Sequence, residues 1–117
     1  MFNISDNGII TLNRGDSFSL DVFVNVGTSF EPIQYVLKDG DSLYFSLTEP
    51  NQPFEVALVR REFTKADLND EGNVTMNFDS YITEHLMPGT YYYCVKLKTE
   101  NGEVSTVIPK RRFNIID

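Results

Sequence analysis

Leu86-Met87-Pro88-Gly89-Thr90-Tyr91-Tyr92-Tyr93-Cys94-Val95-Lys96-Leu97 sets a Pro-Gly turn directly before a tyrosine-rich strand. Pro88 presets φ near about −65° and Gly89 supplies the positive φ that a tight turn needs next. Alternation then puts Tyr91, Tyr93, Val95 and Leu97 on one face and Tyr92, Cys94, Lys96 and Lys98 on the other. A turn followed at once by an inward Tyr is how the corner strand of a β-sandwich begins. Pro88, Gly89 and Tyr91 are therefore assigned structural roles. Tyr92, on the opposite face, is the residue placed to meet a partner.

The rest of the chain repeats the same grammar, with turn signals about every 8 to 12 residues. Ile9–Leu12 reads as a first strand, and Asn13-Arg14-Gly15-Asp16 as the tight turn after it. Gly15 relieves that turn, and Asp16 is placed to hydrogen-bond its backbone. Phe18, Leu20, Val22, Val24 and Val26 alternate with Ser19, Asp21, Phe23 and Asn25, the cleanest half-buried strand of the chain. Further strands are expected at Gln34–Leu37, Leu43–Thr48, Phe54–Phe63 and Val74–Phe78, with a capped turn at Thr64–Asp67. Asp79 to Leu86 is the one credible helix, with Asp79 or Ser80 as its N-cap and Pro88-Gly89 as its stop. Asn101-Gly102 signals a two-residue hairpin, Val104–Ile108 pairs back, and Arg112–Ile116 forms the last strand after Pro109. The fold predicted is all-β: an immunoglobulin-like antiparallel β-sandwich of seven to nine strands in two sheets with one short helix. Residues 1–117 form one domain.

Composition narrows the function. The 117 residues include nine Phe and six Tyr, ample for a core, and carry a net charge of −7. That balance argues against nucleic acid, whose binding rests on clustered Lys and Arg, and against an anionic membrane surface. No apolar run approaches the roughly 20 residues of a membrane-spanning helix. The single cysteine, Cys94, excludes an intrachain disulfide and reads as a small buried hydrophobe. Met1-Phe2-Asn3-Ile4 lacks the basic and apolar segments of a secretion signal, so synthesis in a reducing cytoplasm is expected.

Each motif that could carry chemistry has a plainer account. His85, the one histidine, sits by a turn and reads as a surface or capping residue. Asp39 and Asp41 flank Gly40 as turn residues rather than as a catalytic pair. Asp67–Gly72 has the alternating oxygens of a calcium loop, but Phe78 stands where the bidentate Glu would be needed. Arg14-Gly15-Asp16 spells an integrin-recognised tripeptide and is read as a turn. Asn3-Ile4-Ser5 and Asn73-Val74-Thr75 fit a glycosylation pattern that carries no weight without secretion. No catalytic residue, cofactor or metal site is expected. Lys110-Arg111-Arg112, with Lys96 and Lys98, gives the C-terminal region of this acidic chain a small positive bias. Successive strand residues alternate, so the three do not share one face. Protection of an edge strand is one reading of the triplet, and docking to an acidic patch on a partner is the other. Aromatics such as Tyr35, Tyr44 or Tyr92, where exposed, are suited either to a protein interface or to stacking on sugars.

The order of three segments carries a resemblance. Ile9–Phe18 is a hydrophobic strand followed by Arg-Gly-Asp-Ser, Asp39–Leu47 is Asp-Gly-Asp followed by an aromatic strand, and Leu86–Leu97 leads on to Gly102-Glu103-Val104 and Pro109–Ile115. This pattern resembles the N-terminal domain of bacteriophage upper baseplate proteins and related β-sandwich domains of phage tail, fibre, neck and head-decoration components. The resemblance implies a non-enzymatic virion structural protein that acts by protein–protein attachment and is made in the bacterial host cytoplasm. Its partners would be other virion proteins, met as a homo-oligomer or symmetric multi-copy assembly, without nucleic acid or membrane. Tyr92, Lys110, Arg111 and Arg112 are the candidate partner-binding residues. The alternative is a carbohydrate-binding or adhesin-like module that recognises host-cell glycans.

Overall fold

A computed structural model describes residues 3–4, 8–25, 30–31 and 33–117, with side chains from residue 8 onward. The elements are β1 (Asn3–Ile4), β2 (Ile10–Asn13), β3 (Phe18–Val22), β4 (Ser42–Thr48), β5 (Val59–Phe63), β6 (Val74–Phe78), α1 (Ser80–Glu84), β7 (Gly89–Lys98) and β8 (Val104–Ile116). They form a six-stranded sheet in the order β1-β2-β8-β7-β4-β5 and a two-stranded sheet of β3 and β6. The predicted all-β sandwich is the observed architecture.

Period-two alternation explains how the layers meet. Phe18, Leu20 and Val22 of β3 are buried while Ser19 and Asp21 face outward. They pair across with Phe78, Met76 and Val74 of β6, which are buried as well. The opposing layer supplies Leu43, Phe45 and Leu47 from β4, Tyr91, Tyr93, Val95 and Leu97 from β7, and Phe113 and Ile115 from β8. Each such side chain contributes about 1.5–3 kcal/mol through burial.

Tyr91 closes the corner. Its ring is buried, and its hydroxyl donates to the Met87 carbonyl at 2.6 Å, tying the strand back to the turn before it. Gly89 has the positive φ expected of it. At φ +156° its backbone is one that side-chain-bearing residues rarely adopt, and it already pairs with Ile115 as the first residue of β7.

Several boundaries differ from the alternation reading, each for a tertiary reason. The pairing is not wholly antiparallel: β2 runs parallel to β8, with Ile10 beside Phe113 and Leu12 beside Ile115. These strands lie at opposite ends of the chain, so no hairpin constrains their direction. Gln34–Leu37 is not a regular strand. Asn25 and Gln34 form an isolated bridge, and the Lys38 N–H is taken by the Asp41 carboxylate at 3.0 Å. β3 ends at Val22 rather than continuing to Val26, which lies outside the described residues, as does most of the Gly27–Pro32 loop. The strand predicted from Phe54 starts only at Val59, because Pro53–Leu58 bends over the sheet. Thr99 and Glu103 are joined backbone to backbone, so the hairpin loop has three residues, with Gly102 at φ +90°. Val104–Ile116 is one continuous strand. The register slips between Tyr93 and Val95 and again between Val95 and Lys96, which accommodates Pro109 in a bulge.

Thr83, unremarked in the sequence, anchors the Arg-Gly-Asp turn. Its side chain is fully buried. It accepts the Gly15 N–H at 3.0 Å and donates to the Asp16 carbonyl at 2.9 Å. Gly15 has φ +89°, a backbone that side-chain-bearing residues rarely adopt. The turn is thus built from Gly15, Thr83 and the Asp16 N–H bond to the Asn13 carbonyl. Thr83→Val keeps the shape and removes both bonds, so a loss of about 1–3 kcal/mol is expected. It should appear as a lower urea midpoint with an unchanged m-value, and Thr83→Ser should keep most of the wild-type stability.

Candidate functional site

The outer face of the six-stranded sheet gathers the polar residues that alternation turns away from the core. On β7, Tyr92 pairs with Arg112 of β8 on one side and Thr48 of β4 on the other. Lys96 and Lys98 follow on the same face, with Tyr44 paired to Lys96. Arg60 of β5 lies opposite Ser46. The basic triplet divides as alternation requires: Lys110 and Arg112 look outward with Tyr92, whereas Arg111 pairs with the inward Tyr93. A Cβ on Gly8 would sit 3.3 Å from both Arg111 Nε and the Tyr93 hydroxyl oxygen, and that hydroxyl donates to the Gly8 carbonyl at 2.5 Å. Arg111 therefore belongs to a packed corner of the fold, apart from the outward-facing pair.

A strap formed by residues 50–58 crosses this face. Lys110 Nζ donates to the Gln52 carbonyl at 2.7 Å, and the Phe54 carbonyl accepts from Ser46 Oγ at 3.0 Å and from Arg60 at 3.2 Å. The Phe54 ring is flanked by Lys96 Nζ at 4.5 Å and by the Arg60 guanidinium at 5.2 Å from its centre. These contacts explain why Ser46, Thr48 and Cys94 are buried although they point away from the core. Burial pushes the Cys94 thiol up, against the opposing pull of Lys96 and Lys110, so it stays protonated and poorly nucleophilic.

Pockets open on either side of the strap. One, of about 320 Å³, is lined by Pro50, Asn51, Tyr92 and Lys110, with Asn51 held at φ +67°. The other, of about 370 Å³, lies among Tyr44, Phe54, Arg60, Lys96 and Lys98. Arg60, Lys96, Lys98, Lys110 and Arg112 are half of the chain's ten Lys and Arg residues. Among the described residues, Arg14 pairs with Asp117 at 3.8 Å and Lys65 with Asp39 at 3.6 Å, and none of the five outer-face cations sits in an ion pair. A chain of net charge −7 thus gathers five cations with Tyr44, Phe54 and Tyr92 on one face, where Glu55 and Glu62 are outnumbered.

Other candidates lie elsewhere. His85 is exposed at the C-terminal cap of α1, with the Tyr81 ring edge-on at 4.3 Å. Among the described residues no set of three His, Cys, Asp or Glu side chains is grouped to hold a metal ion, and no helix is long and apolar enough to cross a membrane. The chain matches no protein-family model and no curated protein. Phe54 and Arg60 are the members of this face that sequence reasoning missed. The signal available was Pro50 and Pro53, which break strand pairing and leave an aromatic residue free to fold back over the sheet.

Proposed function

We propose that this protein is a non-enzymatic attachment module of a bacteriophage or prophage virion, docking to another virion protein through the outer face of its six-stranded sheet. The observation that carries the docking surface is the basic, aromatic face itself: Tyr92 beside Arg112 and Lys110, on paired strands, with the cations in no ion pair among the described residues. The virion setting rests on the order of the three segments that resemble phage baseplate, neck, fibre and head-decoration domains. Aromatic and arginine side chains are the residues that most often anchor protein interfaces. Copies displayed with the symmetry of a particle would convert modest single contacts into avid attachment.

The test uses virions that lack the protein. Purified protein is expected to co-sediment with them saturably, and Tyr92→Ala combined with Arg112→Glu should weaken binding by about tenfold or more, equivalent to about 1.4 kcal/mol, with an unchanged circular dichroism spectrum. Particle binding indifferent to this double variant would sink the assigned face. Capture by host cell-wall polysaccharide instead of particles, lost on Tyr92→Ala, would make the protein a glycan-binding module.

A further inference from the structure

We infer that the pocket on the Phe54 side of the strap receives a short acidic peptide segment in extended conformation, with carboxylates at alternate positions. The inference rests on the docking reading above and names the chemistry of the partner at this second pocket. Arg60, Lys96 and Lys98 converge there, and Glu55 is the only carboxylate among the lining residues. These cations form no ion pair among the described residues, and Lys96 and Arg60 are held instead against the Phe54 ring. Beside the aromatic surface of Tyr44 and Phe54 an incoming carboxylate is partly withdrawn from water, which strengthens its attraction to the fixed cations.

Spacing selects the shape of the ligand. Lys96 and Lys98 are alternate residues on one face of β7, which sets their backbone origins about 7 Å apart. An extended peptide repeats its same-side residues at the same interval, so a Glu-X-Glu segment matches the two lysines in register. Charge selects its length. A long polyanion would have to run past the acidic remainder of a chain carrying −7, whereas a short segment meets only the basic face.

A short fluorescent peptide alternating Glu and Thr is the probe, measured by anisotropy at low salt against its Gln-Thr counterpart. The acidic peptide is expected to bind at least about tenfold tighter and to weaken as salt rises. Lys96→Glu with Lys98→Glu should reduce that binding by about tenfold or more, and Arg60→Gln by a smaller factor. Lys65→Glu, at a cation of the short 3-10 turn Lys65–Asp67 already paired with Asp39, should leave it unchanged. The single variant Lys98→Glu serves if the double variant does not fold. Equal binding of the two peptides, or acidic-peptide binding untouched by the Lys96 and Lys98 changes, would overturn the inference. So would stronger competition, per carboxylate, from polygalacturonate, which would assign the pocket to an anionic glycan. Virion co-sedimentation separates the two readings. Particles that still capture the protein through Tyr92 while the peptide fails leave attachment standing and remove this pocket; peptide binding without particle capture does the reverse.

Discussion

Replacing Phe78 with Ala is expected to remove about 3–5 kcal/mol of folding stability, the range found for deleting a buried aromatic ring. Phe78 is 2% exposed and joins the two layers. Its ring stacks on Phe18 at 4.4 Å between centroids, lies 4.6 Å from Phe45 of the facing sheet, and meets Phe63 edge-on at 5.8 Å. Phe45 continues the contact to Tyr93 at 5.9 Å. The layer that Phe78 belongs to has only β3 and β6, and a two-stranded ribbon is at best marginal in water without a hydrophobic face to cover. Its stability therefore comes from this cluster. A domain of ordinary stability holds about 5–15 kcal/mol, so the truncated variant should lose a large share of it, with a melting temperature lower by roughly 10–20 °C. Phe78→Leu, which refills much of the space, should lose markedly less. Urea unfolding of both variants checks this, and a loss below about 1 kcal/mol for the alanine variant would show that the cluster does not hold the layers together.

The legible part of this fold is the part that is local. Alternation in Phe18-Ser19-Leu20-Asp21-Val22 and in Tyr91–Lys98 decides which side chains enter the core, because the pleat repeats every two residues regardless of what lies across it. The same rule places Tyr92, Lys110 and Arg112 together and turns Arg111 away, once Tyr92 is set opposite Arg112. Alternation is silent on partners. The parallel course of β2 beside β8 depends on two segments from the ends of the chain, and the slip around Pro109 depends on the strand it faces. Phe54 and Val56 read as strand residues. The one instead packs against Lys96 and Arg60 while the other stays exposed, because the strap's path is decided by Ser46, Arg60 and Lys110 reaching its carbonyls. Thr83 has no signature in sequence, since a buried helical Thr and an exposed one look alike until Gly15 arrives beside it.

Asp41→Ala is expected to cost about 3 kcal/mol and to reshape the pH dependence of stability, which separates this residue from its neighbour Asp39. Both read as turn residues from the sequence. Asp39 is almost wholly exposed and pairs with Lys65, a contact worth little. Asp41 is 4% exposed, and its carboxylate ties its own loop, residues 35–41, to the hairpin after β7. One oxygen accepts from the Tyr35 hydroxyl at 2.5 Å and from the Lys38 N–H at 3.0 Å, and the other accepts from the Glu100 N–H at 3.1 Å. Gly40 completes the arrangement: at φ +90°, a Cβ there would meet Glu100 side-chain carbons at 2.8 and 2.9 Å. Alanine at position 41 strands those three donors, whereas Asp41→Asn keeps one acceptor oxygen and should cost less.

Burial alone would raise the Asp41 carboxyl, but the bonds from Tyr35, Lys38 and Glu100, with the Lys38 charge, bring it below its ordinary 3.8. Its contribution is therefore present above the ordinary carboxylate range and is lost as pH falls through the lowered value. Tyr35 moves the other way, pushed up to about 12, first by its bond to Asp41 and then by burial and the carboxylate's charge. Its contribution is complete below the ordinary value of 10 and is lost as pH climbs towards about 12. Other carboxylates share the acid limb, so the alkaline limb is decisive. In the Asp41→Ala protein, Tyr35 should ionise nearer 10, and the fall in stability between about pH 10 and 12 should be shallower than in the wild type, leaving what Tyr91 and Tyr93, also raised by burial, contribute. Urea midpoints across pH, with tyrosine ionisation followed by ultraviolet absorbance, measure both. An alkaline limb identical in the two proteins would mean that Asp41 does not hold Tyr35, and the loop of residues 35–41 would then be ordered by something other than this carboxylate.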